Sequence, residues 1–523
     1  MRDDQWRRLI HTAGTRREFL GLSGSLATAL ALSGLPGLRG DARPRLRAYP
    51  FTLGIASGDP RPDSVVLWTR LAPDPLNGGG MTASRVAVDW EVATDDGFRR
   101  IVRRGSTLAT SELAHAVHAE IEGLEPAREY WYRFIAGGEV SPTGRARTAP
   151  SPDSQDTLRF AFCSCQHFEQ GLYTAYARMA EEDLQLVIHL GDYIYEGGPG
   201  SEVVRTHTTS EIETLEDYRN RYALYKTDQD LQSAHALFPF VVTWDDHEVD
   251  NNYAGATAED DQPPEAFLRR RAAAYQAYFE HMPLRASTHP SGPDMQLYRR
   301  LRFGSVAELN VLDTRQYRTN QPCDDGMKAD CVEAGNPAAT IMGEEQRNWL
   351  LEGLSESRAN WNVLATQVPI APMGRRRDGA LQLSMDKWTG YLDERDRLLD
   401  FLQMRSIRNP VSIVGDVHVN WLADLRTGYY DGDGRVVGAE FVGTSISSGG
   451  DGSDANDNTP DMLATNPHVK FFNGQRGYVR CTVTPSRWTA DYRVVEYVTR
   501  PGAPITTRAS FVVEDGAGGA EEA

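Results

Sequence analysis

The 523-residue chain has only five cysteines, an odd number. A disulfide framework is therefore excluded as the main source of its stability. Long apolar runs are missing as well. The mildest candidate, Gly21 to Leu38, is rich in Gly, Ala and Ser and too short to cross a membrane. Positive charge is in deficit: 55 Lys and Arg against 73 Asp and Glu leave a formal net charge of −18. That balance argues against regulatory nucleic-acid binding and against adhesion to anionic membranes. Most of the excess acid reads as a solvated surface, and part of it is open to being offset by bound cations. Internal repeats are absent, and low complexity is confined to the tail GAGGAEEA, residues 516–523, which is expected to be disordered.

What is present begins with a targeting signal. Thr15-Arg16-Arg17-Glu18-Phe19-Leu20, the weakly apolar stretch after it and the small residues Gly40-Asp41-Ala42 read as a twin-arginine signal peptide over residues 1–42. That route implies export by the twin-arginine translocase to the periplasm or the outside, already folded and with any cofactor in place. Cys323 and Cys331 flank the polar loop DDGMKAD and are near enough to bridge in an exported protein.

A chain this long exceeds one ordinary core. Residues 49–149 read as an all-β sandwich of immunoglobulin or fibronectin type. SVVLWTRL, VAVDWEVA, AHAVHAEI and YWYRFIA alternate with period two between turn clusters, and Tyr130 and Tyr132 follow a Pro turn. After the linker TAPSPDSQD, residues 157–515 alternate strands with helices and end rich in strands. That order predicts an α/β fold of four layers, α/β/β/α.

Three strings close apolar runs: GDYIYE after LQLVIHL, WDDHEVDNN after FPFVVT, and GDVH after VSIV. Such runs read as buried parallel strands, whose carboxyl ends carry ligand sites. The three ends bring Asp192, Asp246, His247, Asp416 and His418 to what is expected to be one edge of one sheet, in the manner of a multinuclear metal site for phosphoester hydrolysis. The spacing of Asp416 and His418 on an extended segment puts both on one face. Each string has a plainer reading, as a turn Asp, a helix-cap acid run or a satisfied Asp–His pair. An acid run directly behind an apolar strand fits solvation poorly, however. Cys165 lies in FCSCQ, at the end of the strand FAFC. A phosphate loop closed by Arg about six residues later would make it a nucleophile, but position 171 is Gly, so it reads as a metal ligand. Cys163 points to the other face and Cys481 is core. Arg315 and Arg318, in LDTRQYR, either clamp phosphate oxygens or pair with Asp313. Asp386 and Trp388, in MDKWTGY, are slight candidates for the pocket wall.

Taken together and in this order, SCQ, HLGDYIYE, WDDHEVDNNYA, LDTRQYR, GEEQRNWL, KWTGY, GDVH and the late NPHVKF and RGYV segments resemble the PhoD-like phosphatases, a branch of the calcineurin-like metallophosphoesterases. The resemblance covers nearly the whole mature chain. It implies an Fe3+ ion with Ca2+ ions and an exported alkaline phosphatase. Metal-activated hydroxide would attack phosphate monoesters, diesters or both. It implies iron ligands at Cys165, Asp192, Tyr195 and His418, with Asp192 bridging to calcium. Asp246, Asn252 and Asp416 follow as further metal ligands, and His247 as the donor to the leaving oxygen. Some members end in a helix over the active site, and none is visible here. The alternatives are a phosphodiesterase specialised for wall polymers or phospholipids, and a binding protein with a structural metal.

Overall fold

The computed structural model describes residues 46, 48–260, 262–430 and 434–523. The expected signal peptide lies outside them. Among the described residues two large sheets stack face to face. The first has ten strands, in the order Glu521–Glu522, Ile505–Glu514, Arg487–Val495, Arg476–Val483, Leu158–Cys163, Leu186–His189, Pro239–Val242, Ile55–Arg61, Ser64–Arg70 and Ala116–Glu122. The second has seven: Arg299–Phe303, Ala307–Val311, Trp361–Thr366, Pro410–Val414, Val436–Val442, Asn420–Arg426 and Val469–Asn473. The central strands of each run parallel.

Period-two burial decides what each strand face meets. Phe160, Phe162, Ile188 and Val241 point inward and pack on Leu309, Val363, Ile413 and Phe441 of the second sheet. Ala161, Cys163 and Val187 point outward to an aromatic layer that includes Tyr176, Tyr222 and Tyr275. The outer face of the second sheet, with Leu364 and Val414, is covered by Leu350 and Leu354 of helix Gly343–Glu356 and by Leu398 and Leu402 of helix Leu392–Met404. Four layers result, α/β/β/α. The helices carry their own start signals. Thr214 and Asp217 form a capping box before Leu215–Lys226, and Pro264 opens Pro264–His281, which buries Phe267, Arg270, Arg271, Ala274, Tyr275 and Tyr278 at helical spacing.

The N-terminal region is all-β, but it is not walled off. Ile55–Arg61 pairs in parallel with Pro239–Val242, so three of its strands extend the ten-stranded sheet. The remaining strands, Arg85–Ala93, Ile101–Thr110, Glu129–Ala136, Glu139–Val140 and Gly144–Arg147, form a separate five-stranded sheet. An open parallel edge accepts any strand of matching length, and side-chain patterning does not reveal which strand will take it. Tyr130 accepts the backbone N–H of Glu125 at 2.8 Å, pinning the Pro turn before its strand.

The tail corrects an expectation. Residues 516–523 are ordered: Glu521–Glu522 pairs with Phe511–Val512, Ala520 is buried, and Lys470 Nζ donates to its carbonyl at 2.8 Å. Strand pairing through backbone groups needs no apolar side chains, so composition was a poor guide. No helix follows residue 465 among the described residues. Cys323 and Cys331 are joined by a disulfide, while Cys163, Cys165 and Cys481 are free and buried. Among the described residues no helix is long and apolar enough to cross a membrane.

Deleting residues 517–523 removes this pairing and uncovers part of the sheet. It is expected to lower stability by about 1–2 kcal/mol, read as a fall in melting temperature. An unchanged transition would mean that the tail contributes nothing.

Candidate active site

The three strings meet, though not on one edge of one sheet. GDYIYE and WDDHEVDNN leave adjacent strands of the first sheet, whereas GDVH leaves a strand of the second. The site therefore straddles the seam between the sheets. Polar ties hold the seam: Gln367 Nε2 donates to Thr243 Oγ1 (2.8 Å) and to the Leu312 carbonyl (2.7 Å), and Ser164 bridges Ser445.

Local backbone geometry does much of the aiming. Cys165, Asp192, Asn252, Asp416 and His418 all adopt left-handed φ, between 50° and 66°. Each costs roughly 1 kcal/mol or more, and their concentration here marks the loops as held by their surroundings. The flanking glycines are required. A Cβ on Gly191, whose φ is 109°, would lie 2.6 Å from the Asp245 nitrogen, and one on Gly415 would lie 2.6 Å from Ser164 Oγ. The kinks also correct the extended Asp-x-His reading. Because the chain turns at both residues, Asp416 and His418 serve different partners.

One group gathers around Tyr195. Cys165 Sγ, Asp192 and His418 offer ligand atoms within 4.8 Å of one another. The Tyr195 hydroxyl donates to Asp192 Oδ2 at 2.9 Å and lies 3.2 Å from His418 Nε2. Ser448 Oγ sits 2.7 Å from both that hydroxyl and the Cys165 carbonyl. A second group, Asp192, Asp246 and His247, is equally compact. Asp192 belongs to both, as a bridging ligand must. His247 Nδ1 lies 2.7 Å from Glu196 Oε2, and its ring packs on Tyr195 at 4.1 Å between centroids. Glu196 ends the GDYIYE string. Its place in one string with the expected ligands Asp192 and Tyr195 is the sequence signal for it.

The charges are crowded. Burial, with Asp246 and Asp245 alongside, pushes the Asp192 carboxyl well up. Burial, with Asp246 and Asp416 nearby, takes Asp245 up to about 8 even beside Arg315. Burial and the Asp192 charge raise the Tyr195 phenol, and burial and Asp192 raise the Cys165 thiol. Burial works against the charged form of His247, but Glu196 and Asp192 outweigh it and hold the imidazole well above its ordinary value. Among the described residues Asp192 Oδ1 and Asp245 Oδ2 are buried with no hydrogen-bond partner. Thiol, phenol, imidazole and unmet carboxylate oxygens, all short of positive charge, are a donor set that fits metal cations.

Arg315 and Arg318 are not free to clamp substrate. Both side chains are fully buried. Arg315 donates through Nε to Asp245 and through Nη1 to Asp386 at 2.8 Å, with Asp246 at 3.6 Å and Asp416 at 3.9 Å. Arg318 donates to Asp386 Oδ1 and to its carbonyl, each at 2.6 Å. The expected alternative, a salt bridge to Asp313, is not formed either, and the partners are Asp245 and Asp386. Asp313 instead accepts backbone N–H groups of Arg315 and Gln316. Asp386 is thus a structural hub, and Trp388 is fully buried beside it. Asn252 supports Asp246 through its backbone N–H (2.8 Å), while its amide nitrogen turns to Asp325 at 3.0 Å. Asp416 pairs with Lys387 at 2.5 Å.

Glu248, inside the WDDHEVDNN string, builds the floor of the site. Its oxygens accept the backbone N–H groups of Asp192 (3.0 Å), Tyr193 (2.6 Å) and Asp245 (2.8 Å), joining two of the three strings. Glu248→Ala strands three buried donors and is expected to cost at least about 3 kcal/mol and to lower bound metal. Chemical denaturation with elemental analysis checks this, and native stability with full metal would refute it.

Comparison with known proteins agrees with this geometry. Residues 160–492 match the family described as PhoD-like phosphatase, and residues 38–150 match the PhoD-like phosphatase N-terminal domain. The chain is 53% identical to alkaline phosphatase D of Bacillus subtilis (strain 168) over 514 residues, 97% of this chain and 87% of that protein. It superposes on the solved structure of PhoD with a TM-score of 0.90 at 54% identity, covering 92% of this chain and 93% of that one. Purple acid phosphatase PPD1 from yellow lupin (Lupinus luteus) seeds shares the fold alone, with a TM-score of 0.56 at 12% identity over 89% of this chain and 74% of that one. A metallophosphoesterase architecture, a compact acidic site built for cations and a family match across most of the length converge on one assignment: the chain belongs to the PhoD-like phosphatases, metal-dependent hydrolases of phosphate esters.

Proposed function

We propose that this phosphatase is an exported alkaline phosphatase with a mixed iron and calcium centre, active on phosphate monoesters, diesters or both for phosphate acquisition. Cys165, Asp192, Tyr195 and His418 would hold Fe3+, since a phenolate is a hard anionic donor suited to a highly charged ion. Asp246 and Asp416, with Asp192 shared, would hold Ca2+, because hard carboxylate oxygens suit calcium better than zinc. Asn252 would contribute by fixing Asp246. When bound, the ions supply Lewis-acid stabilisation of phosphoryl charge and an activated water. The single observation that carries this reading is Asp192, common to both compact ligand groups and left with an unmet buried oxygen.

His247 is the proton donor to the leaving ester oxygen. Glu196 holds its Nδ1, which leaves Nε2 to donate, and the Tyr195 ring fixes its plane. Arg315 and Arg318 act at one remove, holding Asp245 and Asp386 in place. The N-terminal twin-arginine string supports export after folding, with the metals chosen in the cytoplasm.

Metal content and the visible spectrum of protein exported through its own signal test the centre. Iron with calcium and a ligand-to-iron charge-transfer band are expected, whereas zinc or manganese alone without colour would overturn it. His247→Ala is expected to fold and keep its metal while losing about 10²- to 10⁴-fold in kcat. Turnover like that of the wild type would refute the donor assignment.

A further inference from the structure

With Arg315 and Arg318 committed to buried carboxylates, the cation available to a substrate phosphate has to come from elsewhere. Lys387 belongs to the same cluster but differs in one respect. Its side chain keeps about 21% of its exposure, while those of Arg315 and Arg318 keep none. Its ammonium lies 3.0 Å from Asp386 Oδ2 and 2.5 Å from Asp416 Oδ2, so it stands between the structural hub and the end of the GDVH string.

The backbone beneath it is rigid. Asp386 on one side is gripped by Arg315, Arg318 and Gln321. On the other side Trp388 is fully buried, Thr389 Oγ1 donates to the Ser384 carbonyl, and a Cβ on Gly390 would collide with the Met385 carbonyl at 2.0 Å. Only the four-carbon stem of Lys387 is free to move. An ammonium is a compact point charge with three rotatable donors, so it can exchange one carboxylate oxygen for a phosphate oxygen while keeping Asp386.

We infer that Lys387 is a phosphate-binding residue that selects monoesters over diesters, by pairing with the additional charged oxygen that only a monoester carries. This rests on the assignment of Asp416 and His247 to the reaction site. At alkaline pH a monoester carries two negative charges on its non-bridging oxygens and a diester one. A fixed cation at that position stabilises the dianion more, in the ground state and in the transition state alike.

The test compares Lys387→Met and Lys387→Arg with the wild-type holoenzyme on a monoester and a diester that share one leaving group, together with inhibition by inorganic phosphate. Lys387→Met is expected to lower the monoester-to-diester ratio of kcat/KM about tenfold and to weaken phosphate inhibition by a similar factor. Metal content should be unchanged, and Lys387→Arg should restore much of both. An unaltered ratio with unaltered phosphate inhibition would overturn the inference. An equal fall on both substrates with loss of bound metal would also overturn it, because Lys387 would then merely hold Asp416. Metal content of the wild type reads separately on the centre itself, so failure of one reading does not mask the other.

Discussion

A concentration of buried negative charge is the constraint around which this molecule is arranged. Asp192, Asp245, Asp246, Glu248 and Asp386 are buried, and the half-buried Asp416 joins them where the loops of two sheets meet, so that water is scarce and each carboxylate raises the cost of the next. Arg315 is the fixed answer to part of it. Its guanidinium joins Asp245 of the first sheet to Asp386 in a loop beside the second, and reaches towards Asp246 and Asp416. Burial would disfavour its charge, yet the surrounding carboxylates hold it firmly protonated. The remaining deficit, felt in the elevated Asp192, Asp245, Cys165 and Tyr195, is the part that metal ions and a phosphate-facing cation are suited to meet.

That division explains why the site sits at a seam. A single sheet edge would put the three strings in a row, with each loop free to relax away from its neighbours. Two stacked sheets let Asp416 and His418 approach Asp192 and Asp246 from the opposite side, so ligands converge from two directions. The cost is local strain. Five of the residues involved take left-handed backbone, and Glu248, Ser448 and Arg476 spend hydrogen bonds holding kinks at Asp192, Cys165 and His418. Rigid strands behind and satisfied loops in front are what a site that must place several ions needs.

Much of this was legible in the order of residues. The apolar runs named the central strands, the period of the aromatic and aliphatic positions named the helices, and the strings after the runs named most of the charged residues that meet. Strand alternation by itself would put Cys163 and Cys165, two residues apart, on one face; the strand ends at Cys163 and the left-handed backbone at Cys165 turns the chain, so Cys163 faces Tyr176 in the aromatic layer while Cys165 faces the site. The identities of these groups and their attachment to strand ends are properties of the chain itself, because binary patterning and turn chemistry act locally.

Other features belonged to the tertiary structure. Sequence could not tell that Arg315 and Arg318 would be consumed by Asp245 and Asp386, since a long side chain's partner is set by what the fold carries within reach. Nor could it tell that Glu196 orients His247, that Asn252 works through its backbone, or that Lys387 keeps its exposure. The sharing of the N-terminal strands with the catalytic sheet and the ordering of the Gly- and Glu-rich tail escaped for a related reason. Backbone hydrogen bonding at a sheet edge is indifferent to side chains, so pairing there is decided by which edge lies open. The sequence by itself determined which chemistry the chain carries and on which strands it sits. Only the stacking of two sheets, and the competition among many carboxylates for a few cations, decided which of those groups face a substrate and which hold the others in place.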